Sequence, residues 1–424
     1  MNQKFNMAAN MTLIGLFFHT FVVVHFLPHL LGLSQSFASF LALWKEAALL
    51  LLAVGIVFNR IKSKQRIILT RSSLLILLYF LYALFYVFVA DNQTIGFYGL
   101  RNEFEYYCMF FIGCNLNREA KDIEKFLKLI LYSATGIAVW GILQPLFFGE
   151  TFMLHLGYGS GGRLSPSFYI TNYFFQRAVS TFGSPNELAA FLMIVMLLLI
   201  PCKLYARMKV TSALFYPCVA LIGCCFMYTL SRSGWVGFFV ALLYLAYELR
   251  NRKIYYFFFA MIVIGAITAT FTGVIEYLMR TITMEDSSAI RHLEVYSESL
   301  KFMLQHPLGI GIGMAGPKSQ VFLKDKYLNS ESSYFVVMYE TGLVGISLLL
   351  GIFATIIMDL KKYVMTTRDA DDRLFSITVI ASFIAVLVQY LFLPTIQELA
   401  IPSFVYYLSG MAIRLNHDRS HAHA

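Results

Sequence analysis

Charge is what this 424-residue chain has least of. Asp, Glu, Lys and Arg make up 13% of it, about half the share of an ordinary soluble domain. That scarcity excludes a water-soluble globular protein, and the 58% hydrophobic content and mean hydropathy of +0.67 agree. Cysteines are few: Cys108, Cys114, Cys202, Cys218, Cys224 and Cys225 all fall in or beside apolar segments. They show neither a disulfide framework nor metal-site spacing and read as small packing residues. There is no internal repeat and no low-complexity tract. The first apolar run continues to Leu33 without a small-residue cleavage site, so it reads as a retained helix rather than a removable signal peptide.

What the chain does have is a series of apolar runs rich in Leu, Phe, Ile and Tyr. Their length, mostly about 17–25 residues, suits spanning helices rather than barrel strands. Hydropathy places twelve, near 10–33, 37–58, 72–90, 103–117, 126–147, 187–206, 213–230, 234–249, 254–273, 333–360, 375–393 and 399–415. The expected fold is an all-α integral membrane protein of about 12 transmembrane helices, one polytopic domain over 1–424. The basic residues then set its orientation. One alternate set of connections carries 22 Lys and Arg and the other 10, with Lys45 inside a helix. Basic residues collect on the cytoplasmic side, so both termini are expected in the cytoplasm. Two long loops, 148–186 and 274–332, are then expected in the periplasmic or extracellular space, the larger between helices 9 and 10. Insertion topology thus accounts for the net charge of +9, without nucleic acid as a partner.

The stretch from Gly273 to Gly345 concentrates the polar residues. Within it, Gly311-Ile312-Gly313-Met314-Ala315-Gly316 matches the dinucleotide fingerprint letter for letter. That fingerprint works between a strand and a helix of a parallel sheet; after Gln305-His306-Pro307 in an outward loop it reads as a tight turn with backbone amides exposed, available to a phosphate. Asp369-Ala370-Asp371 resembles a metal-holding pair of aspartates, but lies in a short mixed-charge connection and reads as a solvated loop. The His421 and His423 tail reads as a polar, frayed end. No metal and no cofactor are expected. Lys45 and Glu46 stand inside the second helix, where charge is costly and faces either a polar cavity or a structural partner. Arg101, Arg177, Arg232 and Arg291 lie at helix edges or loops on the outward side, where basic residues should be scarce. Guanidinium groups grip phosphates bidentately and stay charged, which suits a diphosphate ligand.

Four blocks carry a resemblance. Arg177 opens a run that continues Ser180-Thr181-Phe182-Gly183-Ser184-Pro185-Asn186-Glu187-Leu188-Ala189, and Thr229-Leu230-Ser231-Arg232-Ser233-Gly234-Trp235 forms a helix-turn motif. Arg291 is followed by His306-Pro307-Leu308-Gly309-Ile310-Gly311-Ile312-Gly313, and Glu331-Ser332-Ser333-Tyr334 by Glu340-Thr341-Gly342 and Gly345. In this order they resemble the O-antigen polymerase and O-antigen ligase superfamily of bacterial envelope glycosyltransferases. The resemblance implies a GT-C-like helical fold in the cytoplasmic membrane. It also implies transfer of a glycan from an undecaprenyl-diphosphate carrier to an acceptor sugar hydroxyl, without metal or nucleotide. The implied partners are the lipid-linked glycan donor and acceptor and membrane lipids; a chain-length regulator is left open. By resemblance Arg177 and Arg291 bind the diphosphate, with Arg232 or Arg101 as helpers; Lys45, His306 and Tyr334 join them as substrate-binding residues. The ligase branch carries a histidine where this chain has Glu331. That departure favours the repeat-unit polymerase over the ligase and makes Glu331 the expected general base, with Glu340 its rival. A lipid-linked oligosaccharide flippase is the alternative from another class.

Overall fold

Lipid offers no partner for backbone N–H and C=O groups, so spanning segments must satisfy their own, and helices do so within one segment. A computed structural model shows this outcome; it describes residues 2–422 except 91, 161, 171–174, 206–207, 253–254, 257–286, 324–327 and 368. Seven described helices are long and apolar enough to cross a membrane: Gln3–Leu30, Gln35–Lys62, Arg71–Val89, Lys121–His155, Pro185–Leu204, Ser333–Thr366 and Ala370–Phe392. The protein is an all-α, multi-pass membrane protein. The described strands are two antiparallel ribbons of two-residue strands, Gly159–Ser160 with Arg163–Leu164 and Tyr169–Ile170 with Phe175–Gln176.

In chain order the helices are α1 (Asn2–His19), α2 (Gln35–Ala42), α3 (Trp44–Lys62), α4 (Arg71–Val89) and α5 (Gln93–Phe104). Then come α6 (Tyr107–Asn115), α7 (Ala120–Leu143), α8 (Gly149–His155), α9 (Pro185–Leu204), α10 (Ser212–Tyr228) and α11 (Arg232–Leu249). The last are α12 (Ser287–Gln305), α13 (Ser333–Thr366), α14 (Ala370–Phe392) and α15 (Ala400–Ala422). Three boundaries differ from the hydropathy reading. The first helix continues through a π-helical stretch, Thr20–Leu30, that contains Pro28. The second run is broken at Leu43 into α2 and α3. The fourth, expected as one span over 103–117, is two helices, with Glu105 and Tyr106 between α5 and α6. The expected ninth span, 254–273, lies almost wholly outside the described residues.

Helices α9 and α14 are apolar on every side and buried on nearly every side, which is where such helices belong. Helix α14 packs against α9, α11, α13 and α15. The outer helices α3 and α4 instead expose Leu51, Val54, Phe58, Leu74, Leu81 and Phe85, a face that fits lipid. Helix α15 runs against α6 at backbone distance, because a Cβ on Gly113 would lie 2.7 Å from the Tyr407 carbonyl and one on Gly410 would lie 2.5 Å from that of Phe110. Small residues permit such close crossings in membranes.

The basic residues at the end of the bundle that holds both termini are partly built into it. Arg60 donates from Nε and Nη2 to the Asn115 carbonyl at 3.0 and 2.7 Å, and Arg414 donates to Asn117 Oδ1 at 2.5 Å. Arg118 donates to Asn10 Oδ1 at 3.2 Å and to the Tyr407 hydroxyl. These residues bracket α1, α3, α6 and α15 together.

The orientation read from basic residues is open to a direct measurement. With the exposed Cys224 replaced by Ala, Ser165→Cys and Ser297→Cys, both at exposed positions, should react with an impermeant thiol reagent in intact spheroplasts. Ser63→Cys, equally exposed after α3, should react only after permeabilisation. The reverse pattern would invert the topology.

Candidate active site

Helix α13 does not run straight. At Gly342 the backbone takes φ +64° and ψ −159°, a non-helical conformation in the middle of a 34-residue helix. Such a break strands carbonyls and amides that lipid cannot satisfy, and the Pro307–Gly316 loop occupies it. The amides of Ile310 and Gly311 donate to the Tyr339 and Glu340 carbonyls at 2.8 and 3.0 Å, and the Leu343 amide donates to Pro307 O at 2.8 Å. Tyr82 of α4 donates to the Thr341 carbonyl at 3.2 Å. The Glu340 carboxylate, 2% exposed, accepts the Ala315 amide at 3.1 Å. The glycines are needed at this distance, since a Cβ on Gly309 would lie 2.7 Å from Glu340 O and one on Gly99 of α5 would collide with Gly313.

Gly309, Gly311, Gly313 and Gly316 all have positive φ, so the tight turn read from the sequence is there. Its amides are not open to a phosphate as expected. Those of Ile310 and Gly311 fill the helix break, that of Ala315 donates to the Glu340 side chain, and that of Gly316 donates to Leu328 O at 2.9 Å.

The start of α13 is fastened to the end of α14. Ser332 is the N-cap, accepting the Tyr334 amide at 3.3 Å and donating to the Tyr390 carbonyl at 2.9 Å. Ser333 donates to Leu393 O at 2.7 Å and accepts the Ile396 amide at 3.1 Å. Glu331, half-buried, stands just before this cap and within electrostatic reach of Tyr296 on α12. Tyr334 is half-buried, its hydroxyl donating to Leu387 O at 3.0 Å. His306 is exposed at the end of α12, its ring 4.4 Å from that of Phe302. Arg291 belongs to α12, but its side chain lies outside the described residues.

Arg177 and Arg232 are brought to one place, the N-terminus of α9. Arg177, 9% exposed, donates from Nε to Thr229 O at 2.7 Å, from Nη1 to Ser167 O at 2.8 Å and from Nη2 to Asn186 Oδ1 at 2.9 Å. Asn186 Oδ1 also accepts the Ser231 hydroxyl at 2.9 Å. Ser231 caps α11, where Arg232 is the first helical residue. Ser184 caps α9 in turn, and Glu187, at the third helical position, accepts its hydroxyl at 2.9 Å. This reciprocal capping holds the first turn of α9 in register. Two non-glycine residues with positive φ, Ser180 and Leu230, mark the same two blocks. Ser180 is held in this uncommon conformation by Gln144, which accepts its amide at 2.6 Å and donates to its carbonyl at 3.1 Å.

Lys45 and Arg101 belong to a second cluster beside the first. The buried Lys45 ammonium contacts Glu46 at 2.7 Å and both oxygens of Glu105 at 2.8 and 2.9 Å. Its donors are thus engaged by carboxylates, an arrangement that positions the cluster from beneath. Arg101 Nε lies 3.5 Å from Glu46 Oε1, with the guanidinium 5.3 Å above the Tyr98 ring. Lys318 closes the cluster, 2.9 Å from Glu398. The Glu398 carboxylate holds the Lys318 ammonium above the ordinary lysine range, and Glu187 adds to that effect. Reading the sequence for arginines missed Glu105, Glu187, Lys318 and Glu398. The available signal was the rarity of ionisable residues in and beside apolar runs. Asp369, part of the metal-like pair, is the N-cap of α14 and accepts the amides of Asp371 and Asp372 at 2.8 and 3.2 Å.

Residues 217–350, which include Arg232, Arg291, His306, Glu331 and Tyr334, match the family model described as O-Antigen ligase. The chain is also 28% identical over 244 residues to an O-antigen polymerase of Salmonella muenchen, covering 54% of this chain and 58% of that protein. The chain therefore spans little more than half the length of this curated relative. One match carries a ligase name and the other a polymerase name, and both part-chain similarities support the O-antigen polymerase and O-antigen ligase superfamily.

Proposed function

We propose that this protein polymerises undecaprenyl-diphosphate-linked oligosaccharide repeat units on the outer side of the cytoplasmic membrane, building an O-antigen, capsule or exopolysaccharide with a GT-C-like fold. The observation that carries the polymerase reading is Glu331, a half-buried carboxylate before the α13 cap, where the ligase branch has histidine. The hydroxyl of the acceptor sugar attacks the anomeric carbon of the donor. A new C–O bond forms, the bond to the carrier diphosphate breaks, and Glu331 takes the hydroxyl proton as general base. The leaving diphosphate needs charge stabilisation more than protonation, which Arg291 and Arg232 supply. Arg177 is the positioning residue behind them. Its three hydrogen bonds join the loop before α9 to the α10–α11 turn. Transfer in this scheme uses neither metal nor nucleotide.

Glycan analysis of a deletion strain tests the reading as a whole. A polymerase mutant leaves single repeats on the carrier; unattached long polymer would indicate the ligase, and inward-facing repeats a flippase. Glu331→Gln keeps size and most hydrogen bonds but accepts no proton. It should accumulate normally and bind lipid-linked donor, yet lose transfer by about 10²-fold or more; near-normal polymer would sink the assignment.

The arginines should separate by role. A hydrogen bond to a charged group contributes about 1.5–3 kcal/mol, and a lysine ammonium lacks the planar fork that spans the Thr229, Ser167 and Asn186 acceptors. Arg177→Lys should therefore lower the unfolding temperature along with polymer yield. Arg232→Lys, at a half-buried helix start, should slow transfer by about 10²–10³-fold in a protein that still accumulates. An Arg177→Lys protein of wild-type stability would refute the positioning role.

A further inference from the structure

The mixed-charge cluster around Tyr98 is larger than a structural ion pair needs. Its members come from α3 (Glu46), α5 (Tyr98, Arg101), the loop before α13 (Lys318) and the turn before α15 (Glu398). The fold brings these segments together deliberately close. Gly99, between Tyr98 and Arg101, abuts Gly313. Gln397 ties the Glu398 turn to the Lys318 segment, donating to Ala315 O at 3.0 Å and accepting the Lys318 amide at 3.3 Å. The His19 imidazole lies within electrostatic reach of Lys45, Glu46, Arg101 and Lys318 at once, and Lys318 within reach of Tyr98.

The cluster is layered. Beneath, Lys45 and Glu105 are 7% and 6% exposed and paired. Above them, Arg101 is 42% exposed, Lys318 38%, Glu46 26% and Glu398 19%. The upper layer is under-used. Arg101 has one carboxylate, at 3.5 Å, for five N–H donors. Among the described residues Glu46 Oε2 is buried without a hydrogen-bond partner, a costly state that a polar ligand relieves. The charge balance says which ligand. Three cations (Lys45, Arg101, Lys318) stand among three carboxylates (Glu46, Glu105, Glu398), so no net positive charge is left to hold a diphosphate. Carboxylates and cations alternating beside an aromatic ring instead suit vicinal hydroxyls, which both donate and accept.

We infer that Glu46, Arg101, Lys318 and Glu398, beside the Tyr98 ring, form a sugar-recognition subsite that selects the repeat unit. This rests on the polymerase reading and deepens it. The Glu398 turn is linked to the start of α13 through the Ser333–Ile396 hydrogen bond, so a sugar held there reaches toward Glu331.

The test uses full-length protein in lipid nanodiscs and the lipid-linked repeat units extracted from the deletion strain. Lys318→Gln and Arg101→Gln should each raise KM about tenfold while kcat stays within about threefold. The double reversal Lys318→Glu with Glu398→Lys preserves an ion pair. If the pair were only structural, the reversal would restore wild-type KM, and that result overturns the subsite. The expected result is a stable protein whose KM stays high. Arg101→Gln, at an exposed side chain with one long ion-pair contact, keeps the test readable if the reversal fails to fold; an unchanged KM there also overturns the inference. A deletion strain that accumulates no lipid-linked single repeats overturns the polymerase reading itself, and the subsite with it, before any variant is measured.

Discussion

The break in α13 is the constraint on which the loop end of this protein depends. A helix in lipid cannot leave backbone groups unpaired, because no water is there to take them. Gly342 opens such a gap, and the Pro307–Gly316 loop fills it with three backbone hydrogen bonds across the break. That fastening carries consequences. The loop fixes Lys318 and Ala315, Ala315 engages Glu340 and Gln397, and Gln397 holds the turn that carries Glu398. A residue with a Cβ at Gly309 or Gly342 would force the loop off α13, and one at Gly313 would force it off Ile95 of α5, and the charged residues would separate. Motif glycines here are thus about backbone approach, not about a nucleotide.

The first turn of α9 performs the matching task on the other side. Ser184, Asn186 and Glu187 lie within one four-residue stretch, and each engages a different neighbour. Ser184 caps the helix, Asn186 receives Arg177 and Ser231, and Glu187 faces the Lys318–Glu398 pair. The Asn186 carbonyl also accepts from Gln389 of α14 at 3.1 Å. One helix start therefore connects the arginine cluster with the mixed-charge cluster. A buried helix makes a good anchor for this, since α9 is enclosed along its length and its N-terminus has little freedom to move.

The sequence disclosed the class of fold readily, because apolar runs longer than about 17 residues have few outcomes other than spanning helices. It disclosed boundaries less well. Nothing in the hydropathy of Leu43 or Tyr106 marks a break. For the site, the four blocks carry residue types but not what each side chain touches. Arg177 reads as a phosphate ligand by residue type, but the carbonyls of Ser167 and Thr229 face it, and carbonyl positions are invisible in a sequence. Glu398 was passed over for the same reason: its importance comes from Lys318, 80 positions away in the chain.

Glu331 and Glu340 show how far geometry separates residues that sequence treats as rivals. Both are carboxylates on α13 or at its threshold, nine positions apart. Glu340 is enclosed, and its side chain accepts the Ala315 amide from the loop that closes the helix break. A group in that position is part of the fastening: moving it toward a substrate hydroxyl would release the loop. Glu331 stands outside the helix, ahead of a cap that Ser332 already supplies, so the helix start does not require its carboxylate. It also sits at the positive end of the α13 dipole, which favours a negative charge, and beside α12, the helix that carries Arg291. A base must reach its substrate and give up its contacts as it takes the proton. The Glu340 side chain is committed to the loop that closes the break, whereas Glu331 stands half-buried ahead of the cap, the position from which the proposed base would act.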